Sequence, residues 1–340
     1  MSIALSPTGS KPVPIKLIVT ALLFPLYLAL ALPGVYLAAF HQPAPSHMKV
    51  EVIAAGSSAS AIQQELAAKA GDALDVSSAS SVAAARHDVS TMAVRAAYNP
   101  VTGELFIASA GSALAAQAVE SVFTQVADQT KQKLSVHDLA PLPTSDSVGV
   151  SLMFLGLAGI LAGFITATVL NLAAPGLRLK SELAIIGGTG VVAGFVTTFI
   201  GFTSYGAFSA HLIGAGLVVA AGTVTAALVQ SGGIKLIGPA MTIIGVTLFV
   251  ILGIPSSGAA VPVDMTPSFF QVLHGLLPTS GTLDGLRRVL YFGSSGLSHD
   301  LSILVLWALI GAAGIWIASL RTKKTPALAE GLVVPEEVAA

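Results

Sequence analysis

The stretch LHGLLPTSGTLDGLRRVLYFGSSGLSHD, Leu273 to Asp300, decides how the rest of the chain is read. Two short apolar pieces, Ser268 to Leu277 and Leu283 to Phe292, are parted by Pro278-Thr279-Ser280-Gly281, and a longer apolar run follows. Neither piece crosses a bilayer alone, because a ~30 Å hydrocarbon core takes about 20 helical residues. Two short helices meeting at a Pro/Gly break can dip into one half of the bilayer and return, provided neighbouring helices cover the irregular backbone. Arg287 and Arg288 then stand near the outer headgroups, with Asp284 one turn earlier and able to pair with Arg288. A helix lying flat at the interface accommodates both arginines as well, so segment 268–292 is read as re-entrant or interfacial.

The composition supports a membrane setting for this break. Of 340 residues, 54% are hydrophobic and only 10% charged, too few charges to clothe a soluble globule of this size. A net charge of -1, with no run of lysine and arginine among aromatics, excludes nucleic acid as a partner. Membrane lipids are the expected surroundings. The chain has no cysteine, which removes disulfides, thiolate nucleophiles and cysteine-ligated metals. Its glycines and prolines, many inside apolar runs, suit closely packed membrane helices.

Outward from the break, six apolar runs are long enough to span: Leu17 to Phe40, Ser151 to Leu170, Leu183 to Ile200, Ala210 to Leu228, Leu236 to Ile254 and Leu301 to Leu320. A cleaved signal peptide is the competing reading of the first, although the run exceeds a usual signal core. Phe202-Thr203-Ser204-Tyr205-Gly206 gives a minimal turn between the third and fourth. An even number of spans puts both termini on one side. Lys11, Lys16, Arg178, Lys180, Lys235, Arg321, Lys323 and Lys324 all lie close to span ends, and placing the termini in the cytoplasm gathers them on the inner face. The expected architecture is therefore an α-helical polytopic protein of the plasma membrane with six transmembrane helices. An extracytoplasmic α/β domain, residues 41–147, is inserted between helices 1 and 2, and residues 1–16 and 321–340 form cytoplasmic tails.

Within that outer domain, Lys49 to Ala55 and Ala73 to Ser78 read as strands around a helix from Ser60 to Ala70. A small-residue segment with Arg86, His87 and Asp88 follows. Met92 to Tyr98 and Gly103 to Ala108 read as a hairpin, and Ser112 to Leu134 as a long amphipathic helix. No GxGxxG, phosphate loop, HExxH or GxSxG occurs, so the chain carries no catalytic motif, no cofactor is expected and the chain is not read as an enzyme. No credible set of metal ligands converges either. His211, at a span end, reads as an interfacial hydrogen-bonding residue. Gly159 with Gly163, and Gly190 with Gly194, place small residues four apart on one helix face, for helix packing or for a dimer surface.

This order of segments resembles the membrane-spanning subunits of type-2 ABC exporters, and more closely an actinobacterial branch related to phage-infection-protein-like membrane proteins. The stretches that carry the resemblance are ELFIASAG, Glu104 to Gly111, and FQVLHGLLPTSGTLDGLRRVLYF, Phe270 to Phe292. The resemblance implies a homodimer that forms a path for amphipathic or polymeric cargo, with ATP hydrolysed by a separate cytoplasmic subunit. It maps the coupling loop onto Asn171 to Glu182, with Arg178, Lys180 and Glu182 as contact residues. The outer gate maps onto His274, Leu276, Leu277, Pro278, Asp284, Arg287 and Arg288. The chain departs from the pattern at its start, where Pro7, Pro12 and Pro14 oppose the amphipathic helix that precedes the first span in such permeases. The expected function is a permease-like export subunit. The alternative is a non-transporting envelope scaffold that recruits partners through its outer domain.

Overall fold

A computed structural model describes residues 15–53, 57–203 and 211–322. Most of the two expected tails, and the Ser204-Tyr205-Gly206 part of the expected outer turn, lie outside the described residues.

Among the described residues five stretches are long and apolar enough to cross a membrane: Leu22–Phe40, Val150–Ala173, Leu179–Thr203, Leu212–Ser256 and Leu297–Arg321. The protein is a mostly helical membrane protein with a small α/β region. The first stretch belongs to helix α1 (Ile15–Phe40), and the next two are α5 (Val150–Ala173) and α6 (Leu179–Thr203). The fourth is not a single rod. Helix α7 (Leu212–Ile237) ends at Gly238, whose φ of +73° is a left-handed conformation that glycine adopts without a Cβ penalty. Pro239 follows, and the chain doubles back through α8 (Met241–Val246), a π-turn (Thr247–Ile251) and α9 (Gly253–Ser256). The Met241 side chain covers Gly233, and the Gln230 side chain sits over Gly245, so the two legs run antiparallel. The fourth and fifth apolar runs read from the sequence are these two legs.

Helix α7 is the axis of the bundle, with α5, α6 and α12 (Leu297–Thr322) packed around it. Glycines set how close they come. A Cβ on Gly163 would lie 2.0 Å from the Thr223 carbonyl oxygen, and one on Gly159 would lie 2.5 Å from a Val219 methyl. On α6, Gly194 and Gly190 meet Gly216 and Val224 of α7 in the same way. The glycine faces of α5 and α6 are thus occupied by α7. The opposite face of α6 presents Val191, Phe195 and Phe199 to the outside, as a lipid-facing surface does.

The α/β region, called the outer domain after its expected location, is a five-stranded sheet in the order β2-β1-β3-β4-β5, formed by β1 (Met48–Ile53), β2 (Leu74–Ala79), β3 (Ala96–Asn99), β4 (Glu104–Ile107) and β5 (Ser135–Asp138). Only the β3–β4 hairpin is antiparallel. Alternation along the strands sends Val50, Val52, Tyr98 and Leu105 to one face, where α2 (Ser57–Ala70) and α4 (Ala113–Thr130) cover them. Ala97 and Phe106 point to the other face, where α3 (Val82–Ser90) supplies Ala85 and Val89. Two features differ from the expectation. Residues 82–90 form a helix, started by Ser81, whose hydroxyl accepts from the Ala84 amide at 3.1 Å. The helix expected to reach Leu134 stops at Thr130, because Lys131 takes a left-handed conformation, and the chain then adds β5 beside β4.

Two side chains from the membrane half plug into this domain. Met265 joins the sheet's main core. Phe292 fills a small cluster with Ala110 and Ala140. Burying one such side chain is worth about 1.5–3 kcal/mol, so the domain is seated rather than tethered.

Candidate functional site at the junction of the two halves

The broken segment contributes α10 (Ser268–His274) and α11 (Pro278–Tyr291). Leu277 is extended, as a residue before proline prefers, and Pro278 opens α11 at the first-turn position where its missing N–H costs nothing. From Pro278 to Val289 only Arg288 is not buried, because α5, α7, α9 and α12 surround this helix. At the turn, Leu276 is exposed and Leu277 and Pro278 are buried. The Leu276 carbonyl accepts from Trp307 Nε1 at 2.8 Å.

Irregular backbone inside a membrane bundle needs partners for its carbonyls, and α11, α10 and α1 supply them. Thr279 Oγ1 donates to the Phe249 carbonyl at 3.0 Å, and Tyr36 donates to Val250 at 3.2 Å. Ser280 Oγ and His274 Nδ1 both donate to the Ser256 carbonyl, at 3.2 and 2.8 Å.

The charged groups of α11 form two separate pairs. Asp284 accepts from Arg287 through one oxygen and faces His274 Nε2 at 3.0 Å through the other. Arg287 also reaches the Gly258 carbonyl at 3.4 Å. Arg288 lies 2.8 Å from Asp300 on α12 and donates to the Ser295 carbonyl at 2.8 Å. This corrects the expected pairing of Asp284 with Arg288. Successive residues of a helix point about 100° apart, so in a helix enclosed on all sides Arg287 and Arg288 meet different neighbours.

Between this network and the outer domain lies a polar cavity of about 360 Å³. Its floor is His274, Asp284, Arg287 and Arg288, and the outer domain supplies His47, Lys49 and Arg95. Arg95 is engaged with Asp264 of the segment that leads into α10, at 2.6 and 3.2 Å. His47, on the exposed rim, is held above the usual histidine range by its 3.0 Å hydrogen bond to Asp75 and by that group's charge. Nothing in the sequence marks Arg95, Asp264 or His47 as neighbours of α11.

The expected inner contact residues separate. Arg178 and Lys180 are exposed, whereas Glu182 is buried. Glu182 accepts from Ser231 Oγ and stands 3.2 Å from Lys235 Nζ, and Asn171 donates to the same Ser231 oxygen at 3.0 Å. Among the described residues no group of three or more His, Asp or Glu could hold a metal ion.

No protein-family model matches the chain, and no solved structure matches it. The chain is similar to the uncharacterized protein YhgE of Bacillus subtilis (strain 168), with 32% identity over 71 residues. That match covers 21% of this chain and 9% of the length of the relative.

Proposed function

We propose that this membrane protein is the permease-like subunit of an export system that moves an amphipathic or polymeric substrate outward. In this reading it sits in the plasma membrane with six crossings, the two legs of Leu212–Ser256 being the fourth and fifth. Both termini are cytoplasmic and residues 41–147 are outside. Two copies form the working unit, and a separate cytoplasmic ATPase supplies the energy. The observation that carries the reading is the α10–α11 pair. A passive anchor has no need of a short helix with three ionisable side chains enclosed among apolar spans, because such groups are costly there. A re-entrant element over an outward path has that need, since it must be held by contacts that can be made and broken. The exposed Arg178 and Lys180 are the proposed contact for the ATPase. The partial likeness to YhgE fits a membrane protein of this kind and names no substrate.

The test is affinity purification of the full chain from its native membrane, with mass spectrometry and an ATPase assay. A stoichiometric ATPase that is lost when Arg178 and Lys180 are changed to alanine is the expected result. A stable envelope complex without ATPase would overturn the export reading in favour of a partner-recruiting scaffold.

A further inference from the structure

The surroundings of His274 favour a hydrogen on each of its ring nitrogens. Its Nδ1 stands 2.8 Å from the Ser256 carbonyl oxygen, which can only accept, so Nδ1 carries a hydrogen. Its Nε2 stands 3.0 Å from a carboxylate oxygen of Asp284. A lone pair on Nε2 would repel the carboxylate at that distance, so the contact is favourable when Nε2 carries a second hydrogen. The other Asp284 oxygen accepts from the Arg287 guanidinium, which pairs with a carboxylate and leaves the second hydrogen on the ring.

We infer that His274 is a proton-binding site. Doubly protonated, it ties α10 to α9 through Ser256 and to α11 through Asp284. When the Nε2 proton leaves, the nitrogen lone pair faces the carboxylate, the attraction becomes a repulsion, and α10 is released from α11. The proton leaves into the junction cavity, which both His274 and Asp284 line. Its acceptor is water, so no other reactant is needed.

The surrounding charges leave this role to His274. From α11, Asp284 touches the ring, and Arg287 and Arg288 lie behind it. Asp264, ahead of α10, is occupied by Arg95 of the outer domain. Asp300 of α12 is occupied by Arg288. The segment around α9 offers only its Ser256 carbonyl to the ring. On the cavity rim Lys49 is a further cation, and His47 is tied to Asp75. The proton site stands independently of export, and only its action as a gate latch rests on the export reading.

The test uses the full chain in lipid nanodiscs with 15N-labelled histidine. Ring shifts, which separate the doubly protonated form from both neutral forms, are followed from about pH 5 to pH 9. Trp307, which holds the turn between α10 and α11, reports the latch through its fluorescence once Trp316 is changed to phenylalanine. The expected result is a doubly protonated His274 at the acidic end that loses one proton in a single step, with the Trp307 emission shifting in that same step. Asp284→Asn should move the step to lower pH by at least one unit, His274→Gln should abolish the emission shift, and His47→Gln should leave both unchanged. A ring that is neutral throughout, one that never releases its proton, or a step without an emission shift overturns the inference. If His274→Gln does not fold, the wild-type ring titration and Asp284→Asn still decide. A proton step in a protein that recruits no ATPase would keep the site and sink the export reading alone.

Discussion

Arg95 and Asp264, 169 residues apart in the chain, meet in a two-pronged ion pair at 2.6 and 3.2 Å that clamps the outer domain onto the segment entering α10. A partly buried fork of this kind is stronger than an exposed pair, and lysine cannot reproduce it. A double-mutant cycle with Arg95→Ala and Asp264→Ala should give a coupling of about 1–3 kcal/mol in the unfolding of the outer domain. Arg95→Lys should recover less than half of the loss. Additive single changes would show that the pair does not clamp the two halves.

The glycine contacts around α7 predict a sharp contrast between two substitutions. Gly163→Ala would drive a methyl to 2.0 Å from the Thr223 carbonyl oxygen, whereas a Cβ on Gly187 meets nothing within 4 Å. Gly163→Ala should lower stability in detergent by about 1–3 kcal/mol through overpacking. Gly187→Ala should be neutral or slightly stabilising, because the glycine is replaced by a better helix former. Thermal unfolding of the two variants side by side checks this, and equal midpoints would contradict the described α5–α7 contact.

On α6, Glu182 is buried with Lys235 as its charged partner at 3.2 Å. Lys235→Met strands the carboxylate, and a stranded buried charge costs about 3–5 kcal/mol. Glu182→Gln with Lys235→Met removes both charges, and should cost much less than Lys235→Met alone. If the double variant is the weaker protein, the Ser231 hydroxyl is a sufficient partner for Glu182 and the ion pair is incidental.

Glu51 gives the outer domain a pH dependence of predictable sign. It is a buried carboxyl in β1, an interior strand of the sheet, raised above its ordinary value by burial and by the neighbouring charge of Asp88. The folded state therefore binds more protons than the unfolded state across the window above about pH 4.3. This group's contribution to stability is greatest below that window, falls as pH rises through the folded-state value, and is flat beyond it. Glu51→Gln should raise the neutral-pH midpoint of the domain and flatten its fall with pH, as a melting series across pH reads directly.

The membrane class, the apolar runs and the break at Pro278 were legible because each depends on local length and composition. The partners of the two arginines were not. Asp284 lies one turn from both, and helix spacing alone cannot tell i+3 from i+4 when the helix is surrounded. Asp300 stands within the same quoted stretch as Arg288, but the chain reverses between them through residues 293–296. Helix α3 escaped because two valines and three alanines are the only apolar residues in Val82–Ser90, and its buried Ala85 and Val89 make a stripe too narrow to register as amphipathic. Strand β5 is four exposed residues with no alternation, and it is held by backbone pairing to β4 and by contacts of Asp138 with Ser109 and of His137 with Phe106 that no local pattern announces. The clamp between Arg95 and Asp264 is a product of the docking of two halves, which no local pattern encodes.

The π-turn at Thr247–Ile251 implies a tolerance for a changed chain length. A π-turn is an α-helix carrying one extra residue, so deleting Leu248 would let the leg run on as a regular helix without rotating Gly253 away from Thr279. The carbonyls now offered to Thr279 and Tyr36 would be taken back into the helix. The shortened protein should fold with the second leg of Leu212–Ser256 straightened and stiff, and α1 and α11 would each lose an anchoring point on it.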